Sequence, residues 1–203
     1  MAVYILIPAA GSSSRMRGSD KLMQRVDGMP LIRRQAIRAL AATPLVCVTL
    51  AASHPDRLSA LAGLPLDTCI LPDAAEGMAA SLRHAASHAP GFAGDRSATA
   101  IMVVPADMPD LTADDLRRMI DAHALDPAAI FRATASDGTA GHPVLFPRGL
   151  WADLLQMRGD QGARAVLAQH AGRVTHIALP GFNAVTDLDT PEDWARWRLQ
   201  NPG

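Results

Sequence analysis

Several features are scarce in this chain of 203 residues, and each scarcity excludes something. Aromatic residues make up only 4% of it. That argues against stacking platforms for single-stranded nucleic acid. The formal net charge is −1 and like charges form no block. Nucleic acid and anionic membranes both call for a basic surface, so neither is expected as a partner. The only two cysteines, Cys47 and Cys69, each lie inside an apolar run without metal-ligand spacing. They read as buried, reduced thiols. No basic, apolar leader opens the sequence, and no apolar run approaches membrane-spanning length. A cytoplasmic protein is expected. With 49% hydrophobic residues, the chain can build one substantial core, and a single domain over residues 1–203 is expected.

Apolar runs alternate with helical patterns along the chain. Strands are expected at Val3–Ile7, Leu45–Ala51, Thr68–Leu71, Ala100–Val104, Ala128–Arg132, Pro143–Phe146 and Val174–Leu179. Helical spacing covers Pro30–Ala42, with Arg33, Arg34 and Arg38 turned outward, and recurs from His54 to Ala62 and over Met78–Ser87. Thr112 and Asp115 have the spacing of a capping box before an apolar stripe. Gly149–Met157 and Gly162–His170 read as helices. Thr190-Pro191 starts the last helix, with Asp193 in its first turn. Ala89–Ala98 reads as a surface loop. Such alternation gives an α/β fold, a mainly parallel sheet with helices on both faces. Ligands then bind beyond the carboxyl ends of the strands.

The loops at those ends hold the chemistry. After the first strand comes Pro8-Ala-Ala-Gly-Ser-Ser-Ser-Arg-Met-Arg-Gly-Ser-Asp-Lys21. Small residues expose backbone N–H groups, and Arg15 and Lys21 add positive charge, so the loop suits a triphosphate. It is neither a Walker loop nor a Gly-x-Gly-x-x-Gly turn. Asp107 lies just past the fourth apolar strand, where a carboxylate suits Mg²⁺ held jointly with phosphate oxygens; Asp110 is further from the strand end. Asp187 and Asp189 alternate along an extended segment and share a face. One of them could complete a metal site with Asp107. Glu192 and Asp193 fit capping and helix-dipole roles. Gly77 and Ser81 stand at a helix entrance that admits a base or ribose. His142 opens a strand, where a structural role is the commoner one. Gly159, Asp160 and Arg164 open a helix that could receive an anionic substrate.

These stretches, taken in order, resemble a known family. Ala9-Ala-Gly-Ser-Ser-Ser-Arg-Met, Lys21-Leu and Gly28-Met-Pro-Leu-Ile32 resemble the opening of the nucleotidyltransferases of sugar nucleotides and molybdenum cofactor. Gly77–Leu82, Pro105–Pro109, Gly141–Phe146, Gly159–Arg164 and Asp187–Asp193 together are similar to the molybdenum cofactor cytidylyltransferases. The resemblance implies a Rossmann-like nucleotidyltransferase fold. It also implies transfer of CMP from CTP to a molybdenum-loaded molybdopterin, with Mg²⁺ as cofactor and a molybdenum hydroxylase as recipient of the product. Carried onto this chain, Ala9, Ala10, Gly11, Ser12, Arg15 and Lys21 would line the nucleotide, with Gly77 and Ser81 near base and ribose. Asp107 would bind Mg²⁺ with Asp187 or Asp189, and Arg15, Lys21 and Asp107 would be catalytic. His142, Gly159, Asp160 and Arg164 would face the pterin. Related guanylyltransferases carry Gly where Ala10 stands, which points to CTP. The chain departs from the family at Arg17, which delays Lys21 by one position; Arg17 reads as a third phosphate contact or a solvent-facing side chain. Rivals are a transferase of the same fold acting on a polyol or sugar phosphate, and a non-catalytic cofactor carrier.

Overall fold

A computed structural model describes residues 2–89, 98–159 and 163–202. The part of the expected surface loop at 90–97, and the start of the expected helix at Gly162, lie outside the described residues.

Seven strands form one sheet. They are β1 (Val3–Ala9), β4 (Val46–Leu50), β5 (Asp67–Ile70), β6 (Ala100–Val103), β7 (Ile130–Thr134), β8 (Ala140–Pro147) and β9 (Val174–Ala178). Their spatial order is β5-β4-β1-β6-β8-β7-β9. All neighbours pair in parallel except at β8, which runs antiparallel to both β6 and β7. Only residues 135–139 separate β7 from β8, too few for the crossover that parallel pairing needs. Two short strands, β2 (Arg25–Val26) and β3 (Met29–Pro30), make a separate hairpin turned at Asp27-Gly28.

The period of two along β1 divides the core. Ile5 and Ile7 pack under α1 (Leu31–Ala42) and α4 (Ala113–Leu125). Tyr4 and Leu6 pack under α3 (Met78–His88), α5 (Trp151–Leu155) and α6 (Arg164–Gln169). Helices therefore cover both faces, as the alternation requires. The remaining helices are α2 (Pro55–Ala60) and α7 (Pro191–Gln200). The expected capping box of Thr112 with Asp115 forms, and the expected N-cap Thr190 makes a second one with Asp193. Met16, Val26, Leu31, Leu188 and Trp194 make a third cluster that ties the first loop to the C-terminal segment. No helix among the described residues is long and apolar enough to cross a membrane.

Two expectations need correction. Arg33, Arg34 and Arg38 do not face open solvent. Arg33 donates to the carbonyls of Ala60 and Ala62 at 2.8 and 3.0 Å. Arg34 and Arg38 donate to Pro109 O at 2.6 and 2.7 Å, and Arg38 also reaches Leu111 O. The guanidinium fork can satisfy carbonyls of a turn that no helix or strand serves. Of the two thiols, Cys47 meets the expectation and Cys69 departs from it. Cys47 is buried and its pKa is pushed up to about 11, chiefly by desolvation. Cys69 lies on the edge strand β5, only partly buried, with Sγ 3.5 Å from His84 Nδ1.

Candidate active site

The first loop is shaped by a residue that no motif revealed. Arg57, on α2, is fully buried beneath it. Its guanidinium donates to the carbonyls of Ala9 and Gly11 at 2.6 and 2.7 Å and to Ser13 Oγ at 2.9 Å. It also forms a two-armed pair with Asp20, at 2.7 and 2.8 Å. Asp20 in turn caps the turn that carries Lys21, accepting from Leu22 N–H. Burial alone would raise the Asp20 pKa, but Arg57, the Leu22 amide and Ser13 outweigh it and hold the carboxyl below its ordinary value. Ser13 and Arg17 both have positive φ, 53° each. The loop's carbonyls are thus turned inward to Arg57, leaving small residues toward the cleft.

The Asp107 loop is held from the other side. Besides Arg34 and Arg38, Gln35 donates to Met108 O. Asp107 O accepts from Leu188 N–H at 3.1 Å. This one backbone bond sets the neighbours of Leu188, Asp187 and Asp189, beside Asp107. Asp110 is engaged elsewhere, accepting from Trp197 Nε1 at 2.8 Å.

Lys21 lies between the two acidic loops. Its Nζ is 2.5 Å from Asp107 Oδ2 and 2.6 Å from Asp189 Oδ1. Arg15 reaches the other oxygen of Asp189 at 2.7 Å. Desolvation opposes the Lys21 charge, yet the two carboxylates prevail and keep its pKa above the ordinary lysine value. Asp187 makes no ion pair among the described residues. Partial desolvation, then the charges of Asp107 and Asp189, push its pKa up against the pull of Lys21. The acidic loops therefore carry one more carboxylate than their cations neutralise. Arg17 pairs with Glu192 at 2.8 Å while its side chain stays 72% exposed, which fits the solvent-facing alternative and not the phosphate contact.

Two neighbouring cavities share Asp107, Pro105 and Met78 in their walls. The smaller, about 190 Å³, is lined by Ala9, Ala10, Gly11, Lys21, Gly77 and Ser81, with Asp107 in the shared wall. Ser81 is almost fully buried in that wall, its hydroxyl accepting from Thr49 at 2.8 Å. Gly77 enters α3 at φ 67°, a conformation that favours glycine. Arg83 fixes this entrance through Asp73 and Glu76. Ser12 is exposed and lines neither cavity.

The larger cavity, about 590 Å³, is lined by Arg15, Asp107, Arg132, His142, Arg164 and Asp187 among others. Gly141 holds its floor. A Cβ there would lie 1.8 Å from Ala184 O, and the next amide, His142 N–H, donates to that same oxygen at 2.8 Å. His142 Nδ1 is buried without a hydrogen-bond partner among the described residues. Desolvation, then the positive charges of Arg132 and Arg164, lower the His142 pKa against the pull of Asp107 and so favour the neutral ring. Gly159 has φ 62° and lines neither cavity. Asp160 lies outside the described residues. Arg132 was read from the sequence only as the end of a strand, and nothing in that run marked it as a cavity residue.

The arrangement joins a cation-bearing loop, a set of carboxylates and a second cavity at the carboxyl edge of a parallel sheet. Fold and site together define a nucleotidyltransferase. The chain belongs to the family described as the MobA-like NTP transferase domain, which matches residues 5–174. Among its relatives, the molybdenum cofactor guanylyltransferase of Serratia proteamaculans (strain 568) is 28% identical over 201 residues, covering 96% of this chain and 93% of the relative. The same-named protein of Burkholderia vietnamiensis (strain G4 / LMG 22486) is 33% identical over 174 residues, 81% of each. The crystal structure of Rv0371c from Mycobacterium tuberculosis H37Rv superposes with a TM-score of 0.81 at 26% identity over 97% of each chain. That protein has also been solved in complex with manganese.

Proposed function

We propose that this chain transfers CMP from CTP to molybdenum-loaded molybdopterin, releasing pyrophosphate. The observation that carries this reading is the pair of cavities that share Asp107, one lined by the glycine and lysine of the first loop and the other by His142 and Arg164. A nucleotide in the smaller and an acceptor in the larger would meet at that carboxylate. A phosphate monoester is already an anionic nucleophile, so in-line attack on the α-phosphorus needs alignment and charge neutralisation rather than a general base. Lys21 and Arg15 would exchange their carboxylates for phosphate oxygens and stabilise the leaving pyrophosphate. The acceptor would be held along the His142 wall, with Gly141 setting the depth.

Oxygen donors from Asp107 with Asp187 or Asp189 suit a hard divalent cation, and Mg²⁺ is the proposed one. The excess carboxylate charge at Asp187 fits such an ion. No three metal-ligating side chains converge among the described residues, so phosphate oxygens and water would fill the remaining positions. When bound, the ion would neutralise charge developing on the reacting phosphate oxygens. A cytoplasmic site of action and delivery of the product to a molybdenum hydroxylase complete the proposal.

The choice of CTP rests on Ala10, whose methyl stands in the wall of the smaller cavity. The relatives named guanylyltransferases favour GTP as a second reading. Pyrophosphate release with Mg²⁺ and molybdenum-loaded molybdopterin, measured for CTP, GTP, ATP and UTP, separates the two. Release with CTP is expected, and Ala10→Gly should narrow the CTP preference by about 1–3 kcal/mol. Release with GTP alone overturns the base assignment. Pterin binding without release for any nucleotide makes the chain a carrier.

A further inference from the structure

The charges around Lys21 are closed on themselves. The Lys21 ammonium lies between two carboxylates, 2.5 Å from Asp107 Oδ2 and 2.6 Å from Asp189 Oδ1. A divalent cation shared by that pair would compete for the same gap, and two cations at such close range repel. Asp189 in turn gives one oxygen to Lys21 and the other to Arg15, at 2.6 and 2.7 Å. Those are the donors that phosphate oxygens would use. An ammonium thus fills a cation position, and a carboxylate fills an anion position.

The surroundings permit exchange by side-chain motion alone. The turn carrying Lys21 is fixed through Asp20 and Arg57. Asp107 and the Asp189 segment are joined by the Leu188 bond to Asp107 O. Lys21 has a flexible four-carbon stem and also lines the smaller cavity. Its ammonium can turn from the carboxylates toward that cavity while the backbone stays in place. Arg15, with 69% of its side chain exposed, is equally free to turn. Among the described residues no three metal-ligating side chains converge. The chain alone therefore offers a divalent cation few oxygens in return for the ion pairs it would break.

From this geometry we infer that Lys21 and Asp189 are resident stand-ins, one for a divalent cation and the other for a phosphate, so that metal and nucleotide are held well only together. Phosphate oxygens draw Lys21 and Arg15 away from Asp189. The carboxylates so freed, with the phosphates, complete an oxygen set for the cation. By linkage each ligand strengthens the other by the same factor. The device keeps a strongly charged cleft from filling with whichever single ion is abundant. It rests on reading the first loop as a triphosphate site and adds the coupling between its two ligands.

Two titrations keep metal and phosphate apart. In the first, Mn²⁺ is added to the chain without nucleotide, and free Mn²⁺ is read by EPR. Lys21→Gln should bind Mn²⁺ about 5–150-fold more tightly than the wild-type chain, the usual range of coupling between ligands. Lys21→Arg, which keeps the charge, should not. Unchanged affinity in Lys21→Gln, or equal tightening in both variants, overturns the inference.

In the second, inorganic pyrophosphate is titrated by calorimetry in EDTA. Asp189→Asn should bind it more tightly than the wild-type chain, by a factor in the same range. Asp187→Asn is the control, because Asp187 lines the larger cavity and makes no ion pair among the described residues. Equal gains in the two variants mark a general effect of lost negative charge and overturn the stand-in role. So does a wild-type chain that binds pyrophosphate as tightly as Asp189→Asn. Circular dichroism checks that each variant is folded. Neither titration uses turnover. Both results as expected, with no pyrophosphate release for any nucleotide, would keep the stand-ins and remove the transferase reading; turnover with unchanged titrations would do the reverse.

Discussion

The two cavities of the cleft, the smaller proposed for the nucleotide and the larger for the acceptor, are built by opposite strategies. On the nucleotide side nearly every polar group is already used. Arg57 holds the first loop through two carbonyls, Ser13 and Asp20, and Arg34, Gln35 and Arg38 hold the Asp107 loop through its carbonyls. On the acceptor side Arg132, Arg164 and His142 Nδ1 are left with unspent capacity. A triphosphate is bulky, flexible and highly charged, so a loop fixed beforehand spares ordering at the moment of binding. The acceptor side has polar groups waiting for a ligand to complete them.

Substitutions can break this contrast. The largest effect is expected around Asp107. Lys21→Ala or Asp107→Asn should lower turnover at least about 100-fold, in the range seen when a preorganised charge partner is lost. Circular dichroism and thermal melting should show the fold retained. Near-normal rates in either variant would remove its role.

Next comes Arg57→Ala. It strands Asp20 and two buried carbonyls, and losing one partner of a buried pair costs about 3–5 kcal/mol. Urea denaturation should show a loss of this size, with weaker nucleotide binding. A stable variant that binds nucleotide normally would mean that the loop keeps its shape without Arg57.

Gly141→Ala should act on the acceptor side alone. The new methyl meets Ala184 O, and overpacking of this kind costs about 1–3 kcal/mol. Acceptor KM should rise while nucleotide KM stays put; a matching rise in both would show that the halves are mechanically coupled.

The smallest effect is a pH dependence. Asp20 has a folded pKa below its ordinary value. Its contribution is therefore complete above the unfolded pKa and is lost as pH falls through the folded one. Melting temperature between pH 5 and pH 2 should fall less steeply in Asp20→Asn than in the wild-type chain. Parallel curves would assign the acid limb to other carboxylates.

Much of this was legible in the sequence because it is written locally. Strand runs, helical stripes and the two helix caps depend on neighbours a few residues apart, and they lie where the patterns put them. Ala10, Gly11, Lys21 and Asp107 were singled out because ligands gather at the ends of parallel strands, and the structure lines one cavity with them. The buried arginines were not. Arg57, Arg34 and Arg38 bond to carbonyls tens of residues away, and every residue has a carbonyl, so no pattern marks the partner. The sense of β8 could have been inferred from its short connection to β7, but apolar runs carry no direction. The hairpin of β2 and β3 escaped notice because each strand has only two residues. Arg17 was read as a phosphate contact or a solvated side chain; it is solvated, with Glu192 from 175 residues downstream as an exposed partner that no local pattern marked.

The hydrogen bond from Leu188 to the carbonyl of Asp107 also has a bearing on the order in which this protein is made. The stretch common to its family ends at residue 174, and β9, the last strand of the sheet, ends at Ala178. Asp187 and Asp189 leave the ribosome after the whole sheet. A growing chain that has already folded its first loop still lacks Asp187 and Asp189, two of the three carboxylates around Lys21, and they are delivered when the segment after β9 docks. The order of synthesis thereby puts formation of the sheet before completion of this acidic cluster.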